Sequence, residues 1–201
     1  GAEIVLIPKP RDVKQVLNSL DKHQPRLFPS VPRLLQAISE SPEIEKNDLT
    51  SIRFAISGGA ALDPSVKDKF EQAVGQQNII KQGFGLSETS PLAAANPPVG
   101  LNKSDTIGLA CPGTEIKIAD PNDPDKTMGI GELGEICIKG PQVMQGYYNK
   151  PEETAEVLTE DGWFRTGDLG HMDEDYYVKI TDRKKRMIII NGENVYPNLI
   201  E

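Results

Sequence analysis

Strand-like and helix-like segments take turns along the first third of the chain, and this alternation limits the folds open to it. Residues 3–7 form a short apolar run of strand type. Behind Asp12, a residue suited to cap a helix, Val13, Val16, Leu17 and Leu20 recur at helical spacing. Residues 26–28 then read as a strand, 32–39 as a helix opened by proline, 52–56 as a strand, 64–74 as an amphipathic helix, and 78–81 as a strand. Strands separated by helices of this length must lie parallel, because the crossing helix returns the chain to the edge it left. The expected class is α/β, with a parallel, helix-covered sheet.

Beyond about residue 91 the pattern changes. Short runs such as 115–119 and 135–139 alternate with a period of two, punctuated by Pro121-Asn122-Asp123-Pro124 and Gly129-Ile130-Gly131. Residues 151–158 are the one clear helix there, and 176–190 hold two apolar runs separated by Asp182-Arg183-Lys184-Lys185-Arg186. This texture predicts an antiparallel, barrel-like or sandwich-like unit. No repeat or low-complexity tract interrupts it.

The charge balance narrows the ligands. In 201 residues, 22 Lys and Arg face 30 Asp and Glu, a net charge of −8. No overall basic field attracts a nucleic acid or an anionic membrane, so an anionic ligand must be met by local donors or a metal. Cys111 and Cys137 lack metal-ligand spacing and a partner motif, which marks them as reduced core residues. The apolar runs 4–7 and 187–190 are far shorter than the roughly 20 residues of a membrane helix. A soluble, cytoplasmic protein without a transmembrane segment is expected. The chain opens without Met and stops within what reads as a first helical turn, so both ends are expected to be cuts.

Two glycine-rich turns follow consecutive strand candidates: Ser57-Gly58-Gly59-Ala60-Ala61-Leu62, and Gln82-Gly83-Phe84-Gly85-Leu86-Ser87-Glu88-Thr89. Either turn alone is ordinary chain reversal. Two at neighbouring carboxyl ends of a parallel sheet, the edge where such sheets bind ligands, point to a site. In the second, Phe84 can stack on a base, Ser87 and Thr89 offer hydroxyls, and Glu88 offers a hard oxygen ligand for magnesium carrying phosphates. The Gly-x-Gly is not a dinucleotide fingerprint, since no third glycine follows and no Walker lysine is present. Asp168, placed between Gly167 and Gly170, can accept hydrogen bonds from two ribose hydroxyls, although as a turn the stretch would be unremarkable, and Arg183 is a candidate partner for ribose or phosphate. His23, in a helix-like stretch, and His171, in a loop, have no convincing partner.

These motifs, with Gly131-Glu132-Leu133-Gly134-Glu135-Ile136, Phe164-Arg165-Thr166-Gly167-Asp168-Leu169, Asp182-Arg183-Lys184-Lys185 and Asn191-Gly192-Glu193-Asn194-Val195-Tyr196-Pro197, occur in a fixed order. In that order the chain resembles the adenylate-forming superfamily of acyl-CoA synthetases, firefly-type luciferases and peptide-synthetase adenylation domains, and its wording is nearest to fatty-acyl-CoA ligases. The resemblance implies roles residue by residue. Gly59, Ala60 and Ala61 would form one wall of an adenine slot and Phe84, where the family usually has tyrosine, the other. Ser87, in place of the commoner threonine, would contact the α-phosphate, with Gln82 and Thr89 in the same nucleotide-binding motif, and Glu88 would bind Mg2+. Gly83 and Gly85 would lie beside the adenylate and the acyl tunnel, Asp168 would hold the ribose, Ile180 would touch the adenine, Arg183 would reach the ribose, and Lys185 would be the hinge of a C-terminal lid.

The implied division is an α/β subdomain over residues 1–95, a β-rich subdomain over 96–184, and the hinge and opening strands of the lid over 185–201, with the nucleotide site where the first two meet. The implied chemistry uses ATP, Mg2+ and coenzyme A: a carboxylic acid, most simply a fatty acid, attacks the α-phosphate of ATP, and a thiol then attacks the acyl-adenylate. A carboxylate is already a nucleophile, so positioning and charge neutralisation suffice without a catalytic triad. The family's Ser/Thr/Gly-rich loop ending in Pro-Lys-Gly and its lid lysine do not occur in the 201 residues. The expectation is therefore a central fragment that does not adenylate by itself. Two other readings stay open: a domain that adenylates amino or aryl acids for a carrier protein, and a nucleotide-binding module without turnover.

Overall fold

Asp12 starts the first helix as its type and position predict, its carboxylate accepting a hydrogen bond from the Gln15 backbone N–H at 3.1 Å. The computed structural model describes residues 1–60, 62–186, 188–190 and 193–195, with backbone only for 186, 188–190 and 193–195. Two compact units divide the chain, Gly1–Gly83 with Pro97–Ser104 and Phe84–Asn96 with Asp105–Glu201.

The first unit runs α1 (Val13–His23), β1 (Leu27–Ser30), α2 (Pro32–Ser39), β2 (Phe54–Ser57), α3 (Pro64–Val74) and β3 (Ile80–Phe84). Pro32 and Pro64 sit in the first turns of α2 and α3, where a missing N–H leaves no hydrogen bond unmade. The strands pair in parallel, β1 with β2 and β2 with β3. Val16, Leu17 and Leu20 of α1, Leu35 and Ile38 of α2, and Phe70 and Val74 of α3 join Phe28, Ala55 and Ile80 of the strands in one core. Phe28 stacks on Phe70 with ring centroids 6.3 Å apart. Buried Glu71 clips α3 to β3 by accepting from the Ile80 N–H at 3.0 Å and pairing with Lys67 at 3.0 Å.

Residues 3–7 are not a strand. Ile4 and Leu6 are 79% and 84% exposed, and Ile7 alone of the run packs against the core. A strand needs a neighbour to take its N–H and C=O groups, and among the described residues none pairs with this run.

The second unit is antiparallel, as its two-residue alternation predicts. It comprises β4 (Ala94–Ala95), β5 (Leu109–Ala110), β6 (Glu115–Ala119), β7 (Gly134–Lys139), α4 (Pro151–Val157), β8 (Phe164–Met172), β9 (Val178–Arg183) and a ribbon of β10 (Ile188–Ile190) and β11 (Glu193–Val195). Strands β6 to β9 form a four-stranded sheet in chain order, and β4 pairs with β5. A bridge from Gly108 to Val178 ties the segment before β5 to β9. Ile118, Ile136, Ile138 and Val178 meet Ala93, Ala94 and Ile107 in a second core.

One local expectation is reversed here. His171, expected in a loop, lies with Asp168 in the nine-residue β8. Glycines disguise it in the sequence, whereas pairing on both sides with β7 and β9 dictates its extended backbone. No helix among the described residues is long and apolar enough to cross a membrane.

Candidate functional site

In the first unit, the candidate residues gather at the carboxyl ends of β2 and β3. Ser57 ends β2 in register with Gln82 on β3. Gly58 and Gly59 carry the chain out of the sheet, Gly59 in the left-handed region at φ 83°, and Ala60 is exposed. A Cβ on Gly58 would stand 3.4 Å from the Gly83 carbonyl, so the two glycine-rich segments approach closely. The Gln82 side chain braces this edge, donating to the Ser104 carbonyl and accepting from the Leu62 N–H at 3.4 Å. Ser57 is buried and its hydroxyl has no partner among the described residues. Ala61 lies outside the described residues.

The second motif is partly strand: Gln82, Gly83 and Phe84 belong to β3, and the turn proper begins at Gly85. Gly85 is obligatory, because a Cβ there would collide with the Pro91 carbonyl. Phe84 is half-buried and packs on the second core, as does Ile180 of β9. Residues Ser87–Thr89 form a single 3-10 turn. Thr89 keeps its hydroxyl inside, accepting from the Leu86 N–H at 2.9 Å and lying 2.9 Å from the Pro91 carbonyl. That internal bonding leaves Ser87 exposed and Glu88 half-buried on the turn it stabilises.

Glu88 is gripped at both ends. Its backbone carbonyl accepts from the Met144 N–H at 2.8 Å, and its Oε1 accepts the phenol O–H of Tyr147 at 2.8 Å. That hydrogen bond, joined by burial, holds the Tyr147 phenol above its usual pKa, so it remains a donor. Tyr147 is not legible in the sequence, where nothing signals that residue 147 meets residue 88. Among the described residues no three His, Cys, Asp or Glu side chains converge as an all-protein metal cage. A lone, half-buried carboxylate with one oxygen in use fits a magnesium ion that arrives already coordinated by phosphates.

On β8, Asp168 is 3% exposed. It lies opposite Arg183 of β9, whose Nε sits 2.8 Å from Asp168 Oδ1. Its Oδ2 is buried without a hydrogen-bond partner among the described residues. Burial pushes the Asp168 carboxyl above the usual aspartate range, and the Arg183 guanidinium pulls it partly back. A buried acceptor left open beside a cation is suited to ribose hydroxyls, which would supply the missing donors.

A second buried carboxylate, Glu135 on β7, meets Arg165 at 2.7 Å and Lys184 at 3.2 Å, and its Oε1 accepts from the Gly167 N–H at 3.1 Å. Lys184 and Arg165 both also donate to the Pro121 carbonyl. Arg183 and Lys184 are thus tied to adjacent strands, and Lys185, the next residue, is exposed. The motif containing Glu135 is recognisable in the sequence, but its role as a clamp is not. The last motif falls largely on residues outside those described. A cleft of about 300 Å3 beside α2 and α3 is lined by Ser39, Ile44, Glu45, Lys69, Gln72 and Ala73, none of them an expected site residue.

Comparison with known proteins shows which family the chain resembles. Residues 1–148 match the family of AMP-binding enzymes. The long-chain-fatty-acid–CoA ligase of Bacillus subtilis is 46% identical over all 201 residues, which span 35% of that protein. Among solved structures, ATP-bound MatB from Rhodopseudomonas palustris is 32% identical with a TM-score of 0.81, over 94% of this chain and 37% of that one. The anthranilate CoA ligase AuaEII in complex with anthranoyl-AMP is 26% identical with a TM-score of 0.86, over all of this chain and 38% of that one. The chain belongs to the AMP-binding, adenylate-forming enzyme family. It spans about a third of the length of the curated relatives it matches.

Proposed function

We propose that this chain is the central part of an ATP-dependent acyl-CoA ligase that activates a fatty acid. The observation that carries the nucleotide half of this reading is Asp168, a buried carboxylate with one oxygen paired to Arg183 and the other without a donor. In this reading that oxygen receives the ribose hydroxyls. Gly59, Ala60, Phe84 and Ile180 line the adenine, and Ser87 contacts the α-phosphate. The Gly58–Gly83 approach keeps the backbone free of side chains at that edge.

The fatty-acid carboxylate attacks the α-phosphorus, the bond to the bridging oxygen breaks, and pyrophosphate leaves. The thiolate of coenzyme A then attacks the acyl carbon and AMP departs. Glu88 would hold Mg2+, which neutralises phosphate charge during the first step. No proton need be taken from the attacking carboxylate, so the chain's own residues orient and neutralise. Lys185 serves as the hinge between the two half-reactions, and the Glu135 clamp on Lys184 fixes the backbone just before it.

Support for a fatty acid comes from the name shared by the curated relatives from Bacillus subtilis and Salmonella typhimurium. An aryl acid is the second reading, favoured by the fold similarity to the anthranilate ligase. The test is carboxylate-dependent ATP–pyrophosphate exchange by the full-length protein with fatty, aryl and amino acids, followed by coenzyme A. Exchange with fatty acids and a thioester product supports the proposal. Exchange with aryl or amino acids alone reassigns the substrate, and none with any acid leaves a nucleotide-binding module.

A further inference from the structure

Tyr147 and Glu88 are 59 positions apart, and their side chains share a hydrogen bond of 2.8 Å. Several contacts hold the phenol in place. The Tyr147 N–H donates to Thr154 Oγ1 at 2.9 Å, and that hydroxyl donates to the Lys150 carbonyl at 2.7 Å, so the tyrosine is fastened to the start of α4. On the other side of the same loop, Gln142 donates to Thr114 Oγ1 at 2.7 Å and the Met144 N–H holds the Glu88 carbonyl. A carboxylate on a three-residue turn would otherwise sample several rotamers. Here the phenol occupies Oε1, while Oε2 has no protein hydrogen bond among the described residues.

We propose that Tyr147 is a positioning residue for the divalent cation that accompanies the nucleotide: it fixes the Glu88 side chain through one oxygen and leaves the other for the cation. The inference rests on the reading of Glu88 as the cation's ligand. Partners that orient a metal ligand through its second oxygen commonly change metal affinity by ten- to a hundredfold. Because Glu88 is only half-buried, the lower end of that range is expected.

The test uses the full-length protein and two variants, Tyr147→Phe and Glu88→Gln. Mn2+ binding in the presence of a non-hydrolysable ATP analogue is read by electron paramagnetic resonance, and AMP binding without metal by calorimetry. Tyr147→Phe retains the ring and its packing. The expected result is Mn2+ affinity weakened about tenfold in Tyr147→Phe and more in Glu88→Gln, with metal-free AMP affinity unchanged in Tyr147→Phe. Normal Mn2+ affinity in Tyr147→Phe with loss in Glu88→Gln overturns the role of Tyr147 alone. Normal Mn2+ affinity in Glu88→Gln overturns the reading of Glu88 itself, and with it this inference. Equal loss of metal-free AMP affinity in Tyr147→Phe would make the tyrosine a structural support, which also overturns it.

Discussion

Asp168 and Arg183 face each other across β8 and β9 with Nε 2.8 Å from Oδ1, and the pairing satisfies one carboxylate oxygen while the other stays buried without a donor. One acceptor of this buried carboxylate is therefore open among the described residues. If AMP supplies the missing donors, Asp168→Ala should weaken AMP binding by about 1.5–3 kcal/mol, the range for hydrogen bonds to charged groups, or roughly ten- to a hundredfold in Kd. Calorimetric titration reads this directly, and an unchanged Kd removes Asp168 from the site.

The same carboxylate gives a pH dependence of definite sign. Its folded-state pKa lies above the ordinary value of 3.8, chiefly through burial. Between that value and the raised one, the native state holds more protons than the unfolded state, so this group's contribution to stability falls as pH rises through the window. Urea unfolding of wild type and Asp168→Asn across pH 3–7 should show the wild-type advantage, whatever its size, largest at the acid end and declining upward. A difference that grows with pH would contradict the assignment.

Glu135 predicts a stability effect. Its loss would leave Arg165 and Lys184 facing each other at one spot without the anion. Removing one partner of a buried pair costs about 3–5 kcal/mol, and partial solvation of the two cations lowers this to roughly 2–3 kcal/mol for Glu135→Ala. Chemical denaturation measures it. A cost below about 1 kcal/mol would mean that the pair is solvent-screened like a surface bridge.

The two cysteines should separate in a thiol assay. Burial pushes the Cys137 thiol up to about 12, while Cys111 is partly exposed and its thiol is raised by burial alone. An aromatic disulfide reagent at pH 8 should label Cys111 alone in native protein and both residues in denaturant. Native labelling of Cys137 would show that β7 opens.

Gly85→Ala should fail for steric reasons rather than conformational ones. Its added methyl meets the Pro91 carbonyl, a backbone atom that cannot rotate away. The cost should exceed the 1–3 kcal/mol usual for overpacking, with loss of the cooperative melting transition as the readout.

Where proline and apolar spacing act together, the sequence specifies structure to the residue. Helices α2 and α3 begin at Pro32 and Pro64 and end where the period predicts, and β6 coincides with the alternating run at 115–119. Strands β2 and β3 start two residues later than their apolar runs because ladder pairing, not hydrophobicity, sets their ends. The run at 3–7 is apolar but unpaired, and β8 is a strand despite Gly167 and Gly170, so in both cases tertiary partners overrule local signals. At the candidate site the glycine turns, Glu88, Asp168 and Arg183 are legible as residue types with suitable chemistry. Tyr147 and the Glu135 clamp are not, because their meaning lies in contacts across 59 and 49 positions.

The pairing of Arg183 with β8 and Lys184 with β7 also has a mechanical side. Tension applied to the chain beyond Lys185 would load two ion pairs on different strands before it reached the hydrogen bonds of β9. The last strand of the sheet would then resist peeling from the end at which the chain leaves it.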